Sequence, residues 1–421
     1  MHVSWLPFVR RHSQTIAAYA SLISGSAGRL VISLAYFVSV ANALSIADFG
    51  LFATASAMGV LLSRLLAFGF VSPLYRVATV KRRLLGTFFA GLLAGGIASL
   101  PLIALSAAAV FALLFAGDMA PIVFVTFMVA EVIFWRATEI VIIVLNGLNR
   151  FARAALLLIL ATAVRAVAAV AFAAFADGSL ATWAIFYLAA NAVCLAIAVV
   201  FFLPKCRLRW RPALYLRRWL DAVSVAGAEI LFYLQSEIDK ALVLAVAGPT
   251  TAGIFAIVMR LIDLTALPVR SGFTLLVQKI MREPALTRSI RANVTIEASV
   301  AAVSTAGIVA MIVFLELFPT ALGANVGEAA PVLALLVAVP ALRNLVEYHS
   351  ELLYATGRTV TRTLNLALLA AVKVVLVAAL LTALPEIGTW APGLNGVFAV
   401  LYLLSALLTY GALRRRPIGA R

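Results

Sequence analysis

Apolar residues run through this chain in blocks of about 20 or more, broken by short polar connections. Each block can cross the ~30 Å hydrocarbon layer of a bilayer as one helix. The weaker ten-residue alternation of an outer-membrane barrel is absent. The blocks predict twelve spans: about 14–44, 48–71, 84–116, 121–145, a fifth carrying Arg165, and 180–203, then 220–247, 251–275, 292–318, 328–354, 363–384 and 394–413. A loop, SPLYRVATVKRR, follows the second span. Pro101 allows a bend in the third, and Gly91 to Gly95 offers a close helix contact.

Composition agrees with this pattern. The 64% hydrophobic and 12% charged content excludes a soluble globular protein, in which roughly a quarter of residues are charged. The net charge of +16 would suggest nucleic acid in a soluble chain, so its placement matters more than its size. All 24 Lys and Arg outside the spans lie in the N-terminal segment, alternate connecting loops and the C-terminal tail. The six intervening loops hold none, and carry Asp48, Asp118, Asp177, Glu328 and Glu386 instead. That bias places the basic face and both termini in the cytoplasm, in a multi-pass inner-membrane protein. The basic loops can touch anionic lipid, and nucleic-acid binding has no place.

Cys194 falls inside a span and Cys206 in a basic loop, so neither a disulfide pair nor a metal-ligand spacing is present. Arg10 and Arg11 precede an apolar run of about 25 to 30 residues without a convincing cleavage site, which reads as a first span rather than a signal peptide. The intervening loops are short, the longest about ten residues around Pro385 to Asn395, leaving no room for an external catalytic domain.

The basic segment 204–219 interrupts the apolar pattern near the middle of the chain. It divides an N-terminal six-helix lobe (1–203) from a C-terminal one (220–413) with a basic tail (414–421). With Trp210 and Trp219 it reads as an interfacial anchor, or as a regulatory or lipid-binding segment. Phe49-Gly50-Leu51-Phe52-Ala53 matches Ala252-Gly253-Ile254-Phe255-Ala256 at a shift of 203 residues. An even number of spans per half makes this a parallel pseudo-repeat.

Charges inside the apolar blocks are the candidate chemistry, since each costs ~2.5 to 3.5 kcal/mol at mid-membrane and is normally turned toward a bundle interior or wet cavity. Tyr233 to Gly272, two helices around a predicted five-residue turn, holds Glu237, Asp239, Lys240, Arg260, Asp263 and Arg270. Across all spans nine basic residues face ten acids, so many can pair as structural pins. Spacing pairs Glu237 with Lys240, Arg260 with Asp263, with Arg270 further along that face, and Arg343 with Glu347. Glu131, Trp135, Thr138 and Glu139 share one face of the fourth span, with Arg136 off to its side. Arg29 and Arg64 have no acid in their own helix, and each needs a partner across the bundle, water or an anionic substrate. His349 lies off the face of Arg343 and Glu347 and is a weak proton-relay candidate. No catalytic triad, phosphate loop, metal cluster or cofactor motif is present.

The twelve-span layout, ALSIADFGLFATA at Ala43 to Ala55, NGLNRFARAALL at Asn146 to Leu157 and SEIDKALVLAVAGPTTAGIFAIVMRLIDL at Ser236 to Leu264 together resemble a polysaccharide transporter. The likeness is to O-antigen flippases of the multidrug/oligosaccharidyl-lipid/polysaccharide (MOP) superfamily. It implies an all-α integral membrane protein of about twelve helices in two six-helix lobes around a central cavity lined by spans one, two, seven and eight. It places Arg29, Arg64, Lys240 and Arg260 on that cavity, suited to the diphosphate of an undecaprenyl-linked oligosaccharide whose tail stays in the bilayer. Alternating access would then carry the head group across the membrane. Glu237, Asp239 and Asp263 are the candidates for a coupling proton or sodium ion. Polysaccharide-assembly proteins are conceivable partners, and no enzyme activity is implied. The alternatives are an ion-coupled drug or cation antiporter of the same superfamily, which would favour an acid-dominated cavity, and a membrane glycosyltransferase or ligase, which would need larger external loops.

Overall fold

The computed structural model describes residues 28, 30–283, 289–384 and 386–414. The start of the first span, Arg10, Arg11 and Arg29 lie outside the described residues. Every regular element among them is helical; eight of these helices are long and apolar enough to cross a membrane, nine with the bent pair near residue 337 taken as one span, and the helices group into two lobes. The N-terminal lobe comprises α1 (Leu30–Ala43), α2 (Ile46–Ser63), α3 (Val71–Val80), α4 (Leu85–Leu114), α5 (Pro121–Met128), α6 (Arg136–Gly147), α7 (Phe151–Phe175) and α8 (Leu180–Ile197). After the short α9 (Pro212–Leu216), the C-terminal lobe comprises α10 (Trp219–Thr265), α11 (Leu267–Arg282), α12 (Ile290–Leu317), α13 (Ala324–Leu335), α14 (Val339–Ala355), α15 (Thr359–Ala383) and α16 (Ile387–Arg414).

Several spans depart from the simple rods that apolar length predicts. The expected loop after the second span is partly helix: α3 buries Val71, Pro73, Leu74, Val77 and Ala78 on one face. Its proline sits in the first turn, where the missing N–H costs least. The turn between spans seven and eight is far tighter than five residues. Gly248, at φ 81° and ψ 175°, is the single non-helical residue inside α10, and Pro249 starts the next helix directly. Span ten is broken rather than continuous, with α13 and α14 meeting at 72°.

Backbone groups freed at such breaks need partners in a dry interior. Asn395 supplies them at the span-ten break, donating to the Leu335 carbonyl at 2.7 Å and accepting from the Ala338 N–H at 3.1 Å. Where the chain leaves α2, the Ala67 N–H donates to Ser99 Oγ at 3.0 Å.

The pseudo-repeat is visible in side-chain packing. Phe52 meets the fully buried Trp183 edge-on at 5.5 Å, and Phe255 meets the fully buried Trp390 at 5.9 Å. Spans four and ten also end alike, with Asn149 at φ 59° and Gly357 at φ 74°, each followed by an N–H returning to a helix carbonyl, Arg150 to Leu145 and Arg358 to Leu353. Lipid tails are as apolar as leucine, so close packing and interhelical hydrogen bonds hold such lobes together. The predicted Gly91 contact is present: Gly91 seats the Tyr215 ring of α9.

Candidate functional site: charged arrays where the lobes meet

Span four supplies the first array through an irregularity. Between α5 and α6 the chain makes a π-helical turn, Val129–Trp135. Such a turn inserts one extra residue and rotates everything beyond it relative to an α-helix. Arg136, expected off to the side, is therefore only 1% exposed and points into the interior. It lies 2.7 Å from Glu139 and 3.3 Å from Glu229. Arg64, at the end of α2, lies 3.0 Å from Glu139 and 3.7 Å from Glu229, with its guanidinium 4.4 Å from the Tyr233 ring centroid. Two arginines and two glutamates thus alternate in a closed, neutral ring. Because Glu229 and Tyr233 belong to α10, the ring ties the two lobes together.

The C-terminal lobe repeats the theme. Asp263 lies 3.2 Å from both Arg270 and Arg343, and Arg270 reaches Glu347 at 3.4 Å. Arg64, Arg136 and Glu139 of spans two and four correspond to Arg270, Arg343 and Glu347 of spans eight and ten, at offsets of 206 to 208 residues. A cavity of about 220 Å³ opens here, lined by Glu237, Asp263, Arg270, Arg343 and Glu347 together with Tyr233.

The predicted site residues separate into distinct environments. Glu237 and Lys240 pair as their i,i+3 spacing predicts, at 2.5 Å. The predicted Arg260–Asp263 and Arg343–Glu347 pairs are not the ones formed. Arg260 instead donates to Ser33 Oγ of α1 at 2.7 Å, leaving Asp263 to Arg270 and Arg343. Interhelical partners win because the guanidinium stems are long enough to leave their own helix face. Among the described residues no carboxylate lies within ion-pair distance of Arg260. Asp239 is away from this surface: it is 2% exposed and 2.9 Å from Lys373 of α15, itself 1% exposed. Lys373 also donates to the Gln235 carbonyl at 2.9 Å and lies 5.3 Å from the Phe398 ring centroid.

Two further polar clusters join residues named from the sequence, Glu131 with Trp135 in one and His349 in the other, to partners on other helices that spacing did not give. Buried Glu131 accepts from Ser56 Oγ at 2.6 Å and from the Tyr187 hydroxyl at 2.5 Å. Nearby, Arg165 makes two bonds to Asn191 Oδ1, at 3.0 and 2.6 Å, with its guanidinium 3.6 Å from the Trp135 ring centroid. In the other lobe, fully buried His349 sits 3.1 Å from Ser405 Oγ and 3.1 Å from Glu297, which also accepts from Tyr402 at 2.7 Å and from Tyr410. An acid or histidine inside a lipid-length apolar block was the only available signal, and it does not say which partner lies opposite. Among the described residues no group of three or more His, Cys, Asp or Glu could hold a metal ion.

No protein-family model matches the sequence. No curated protein is similar to it in sequence. In three dimensions the chain resembles MATE-type transporters. An inward-facing multidrug-resistance MATE transporter of the MOP superfamily aligns with TM-score 0.60 and 14% identity over 92% of this chain and 96% of that one. A mutant of the Vibrio cholerae MATE transporter VcmN aligns with TM-score 0.55 and 16% identity over 96% and 98%. A MOP-superfamily transporter from Pyrococcus furiosus, described as having a binding pocket of reversed polarity that suggests a different function, aligns with TM-score 0.51 and 13% identity over 94% and 95%. The chain therefore has the two-lobed fold of these multi-pass membrane transporters, with the Arg64–Glu139–Arg136–Glu229 array bridging the lobes and the Asp263 array inside the C-terminal one.

Proposed function

We propose that the protein is an alternating-access transporter that moves a lipid-linked oligosaccharide, held by its phosphates, from the cytoplasmic to the outer leaflet of the inner membrane. The lobes would be residues 1–203 and 220–413, moving about the linker at 204–219. Arg260 carries this reading. It is a partly exposed guanidinium on the span-eight face turned toward span one, held by one neutral hydroxyl. A guanidinium in that state keeps most of its donors for a phosphate, which it can bind with two parallel bonds. Arg29 would join it from span one. Arg64 and Lys240 are already paired with acids, Arg64 with Glu139 and, across the lobes, Glu229, and Lys240 with Glu237 of its own helix, so they would contact substrate only by exchanging those partners. An apolar recess of about 470 Å³ between α1, α10, α11 and α12, lined by Leu30, Leu34, Leu264 and Met311, adjoins this junction and suits the lipid chain.

The test is delivery of a fluorescent polyprenyl-diphosphate oligosaccharide to the outer leaflet of proteoliposomes, at matched protein levels. Transport should fall in the order Arg, Lys, Ala at position 260, with the loss for Arg260→Ala exceeding that for Arg64→Ala. Wild-type rates for Arg260→Ala at limiting substrate would remove the main support for the proposal.

The second reading is cation or drug exchange. It is favoured by the multidrug MATE transporters of the same fold and by Glu229, whose side chain is 41% exposed at the lobe junction. Proton-driven efflux of an organic cation lost in Glu229→Gln, without glycolipid transport, would select it. Asp263 and Glu237, at the edge of the cavity, remain the coupling-ion candidates under either reading.

A further inference from the structure

Away from the lobe-junction arrays, a recess of about 890 Å³ opens on the basic face between α3, the start of α4, α9 and the start of α10. Four cations line it: Arg76, Lys81, Arg217 and Arg218. Asp221 is the one carboxylate among its lining residues, and it is already 3.1 Å from Arg218. Among the described residues Arg76, Lys81 and Arg217 make no ion pair. Three like charges therefore converge on one concavity without a protein counterion, a field that attracts anions.

The recess has a constructed wall and an apolar floor. Tyr215 of α9 donates its hydroxyl to the Thr87 carbonyl at 2.8 Å, accepts from the Arg211 N–H at 3.1 Å, and lays its ring against Phe70 and Phe88. This fixes the linker against α4 and holds Arg217 and Arg218 opposite Arg76 and Lys81. Val77, Leu84 and Phe88 form apolar lining. Beside it, Val80, Leu216 and Leu220 are 70%, 73% and 82% exposed, and Trp219 is 40% exposed. Apolar side chains this open, next to an interfacial tryptophan, belong against acyl chains rather than water. A soluble anion would use the cations and leave that surface unexplained.

We propose that this recess binds the phosphate-bearing headgroup of a lipid in the adjoining leaflet, with the lipid's apolar chain laid along Val80, Leu216 and Leu220. The site shares no residue with the lobe-junction arrays, and its recess variants leave those arrays intact. Arg217 and Arg218 would clamp the phosphate from the linker, and Arg76 and Lys81 from the N-terminal lobe. Occupancy would then hold the linker, and with it the start of α10, against that lobe.

The experiment is a titration of the purified full-length chain in neutral detergent, read by intrinsic tryptophan fluorescence. The probes are dioctanoyl phosphatidylglycerol, farnesyl diphosphate, dioctanoyl phosphatidylcholine and sodium phosphate. Saturable binding of phosphatidylglycerol or farnesyl diphosphate is expected, at least tenfold tighter than of phosphatidylcholine or sodium phosphate. Whichever of the two binds tighter identifies the source as bulk anionic lipid or as a polyprenyl carrier. Arg76→Gln/Arg217→Gln should weaken that binding about tenfold and Lys81→Gln several-fold, while Arg291→Gln, an exposed change elsewhere, leaves it unchanged. Unaltered affinity in both recess variants, absence of saturable binding by either lipid, or equal binding of sodium phosphate would overturn the proposal.

Discussion

Gly50 and Gly253, the matched glycines of the two half-repeats, lie against each other where α2 crosses α10. A Cβ built on Gly50 would stand 2.5 Å from the Gly253 nitrogen, and one built on Gly253 would collide with the Ile46 carbonyl. The sequence match is therefore also a contact, with each half supplying the small residue that lets the other's backbone approach.

Adding that methyl should force the helices apart. Gly253→Ala is expected to destabilise by about 1 to 3 kcal/mol, the usual range for overpacking a tight site. The readout is the unfolding temperature of the purified protein, with Gly388→Ala as control because a Cβ at Gly388 meets nothing within 4 Å. Equal unfolding temperatures for the two variants would mean the helices do not approach this closely in solution.

The Arg64–Glu139–Arg136–Glu229 ring should lose unequal amounts when each acid is neutralised. Glu139 contacts both guanidiniums at 3.0 Å or less and is 25% exposed, whereas Glu229 sits at 3.3 and 3.7 Å and is 41% exposed. Removing one partner of a buried pair costs about 3 to 5 kcal/mol, and an exposed pair contributes about 1 kcal/mol or less. Glu139→Gln should therefore lower stability clearly more than Glu229→Gln. The reverse order would show that the α10 end anchors the ring.

Asp239 and Lys373 neutralise each other in a dry site. Lys373→Met strands a carboxylate and should reduce the amount of folded protein in the membrane, whereas Asp239→Asn/Lys373→Met removes both charges and should recover much of it. A folded Asp239→Asn protein whose transport changes only its proton or sodium dependence would instead assign Asp239 to ion coupling.

Orientation can be read from the native cysteines. Cys206 is exposed in the basic linker and Cys194 is buried in α8. With the basic face in the cytoplasm, an impermeant maleimide should miss wild-type protein in intact cells, label Cys206 after permeabilisation, and label Ser179→Cys from outside. Partial burial pushes the Cys206 thiol up, so its thiolate fraction and labelling rate should still be rising above about pH 8.5. Labelling of Cys206 in intact cells would invert the assignment.

The sequence by itself determined what depends on composition and neighbouring positions. Apolar blocks of spanning length define twelve crossings, because insertion energy sums along a segment without reference to its neighbours. The alternation of basic and acidic loops, the Glu237–Lys240 pair and the Phe49–Ala53 repeat are likewise local. Tertiary structure decided the rest. The single residue inserted by a π-helical turn re-aimed Arg136, an Asn395 side chain two spans away allowed the span-ten break, and helix register gave Asp263 to Arg343 and Asp239 to Lys373. Arg64 met its acids only across the bundle. An arginine or lysine stem reaches several ångströms in almost any direction, so its partner is set by which helix lies opposite and at what height. Periodicity along one helix carries neither of those quantities.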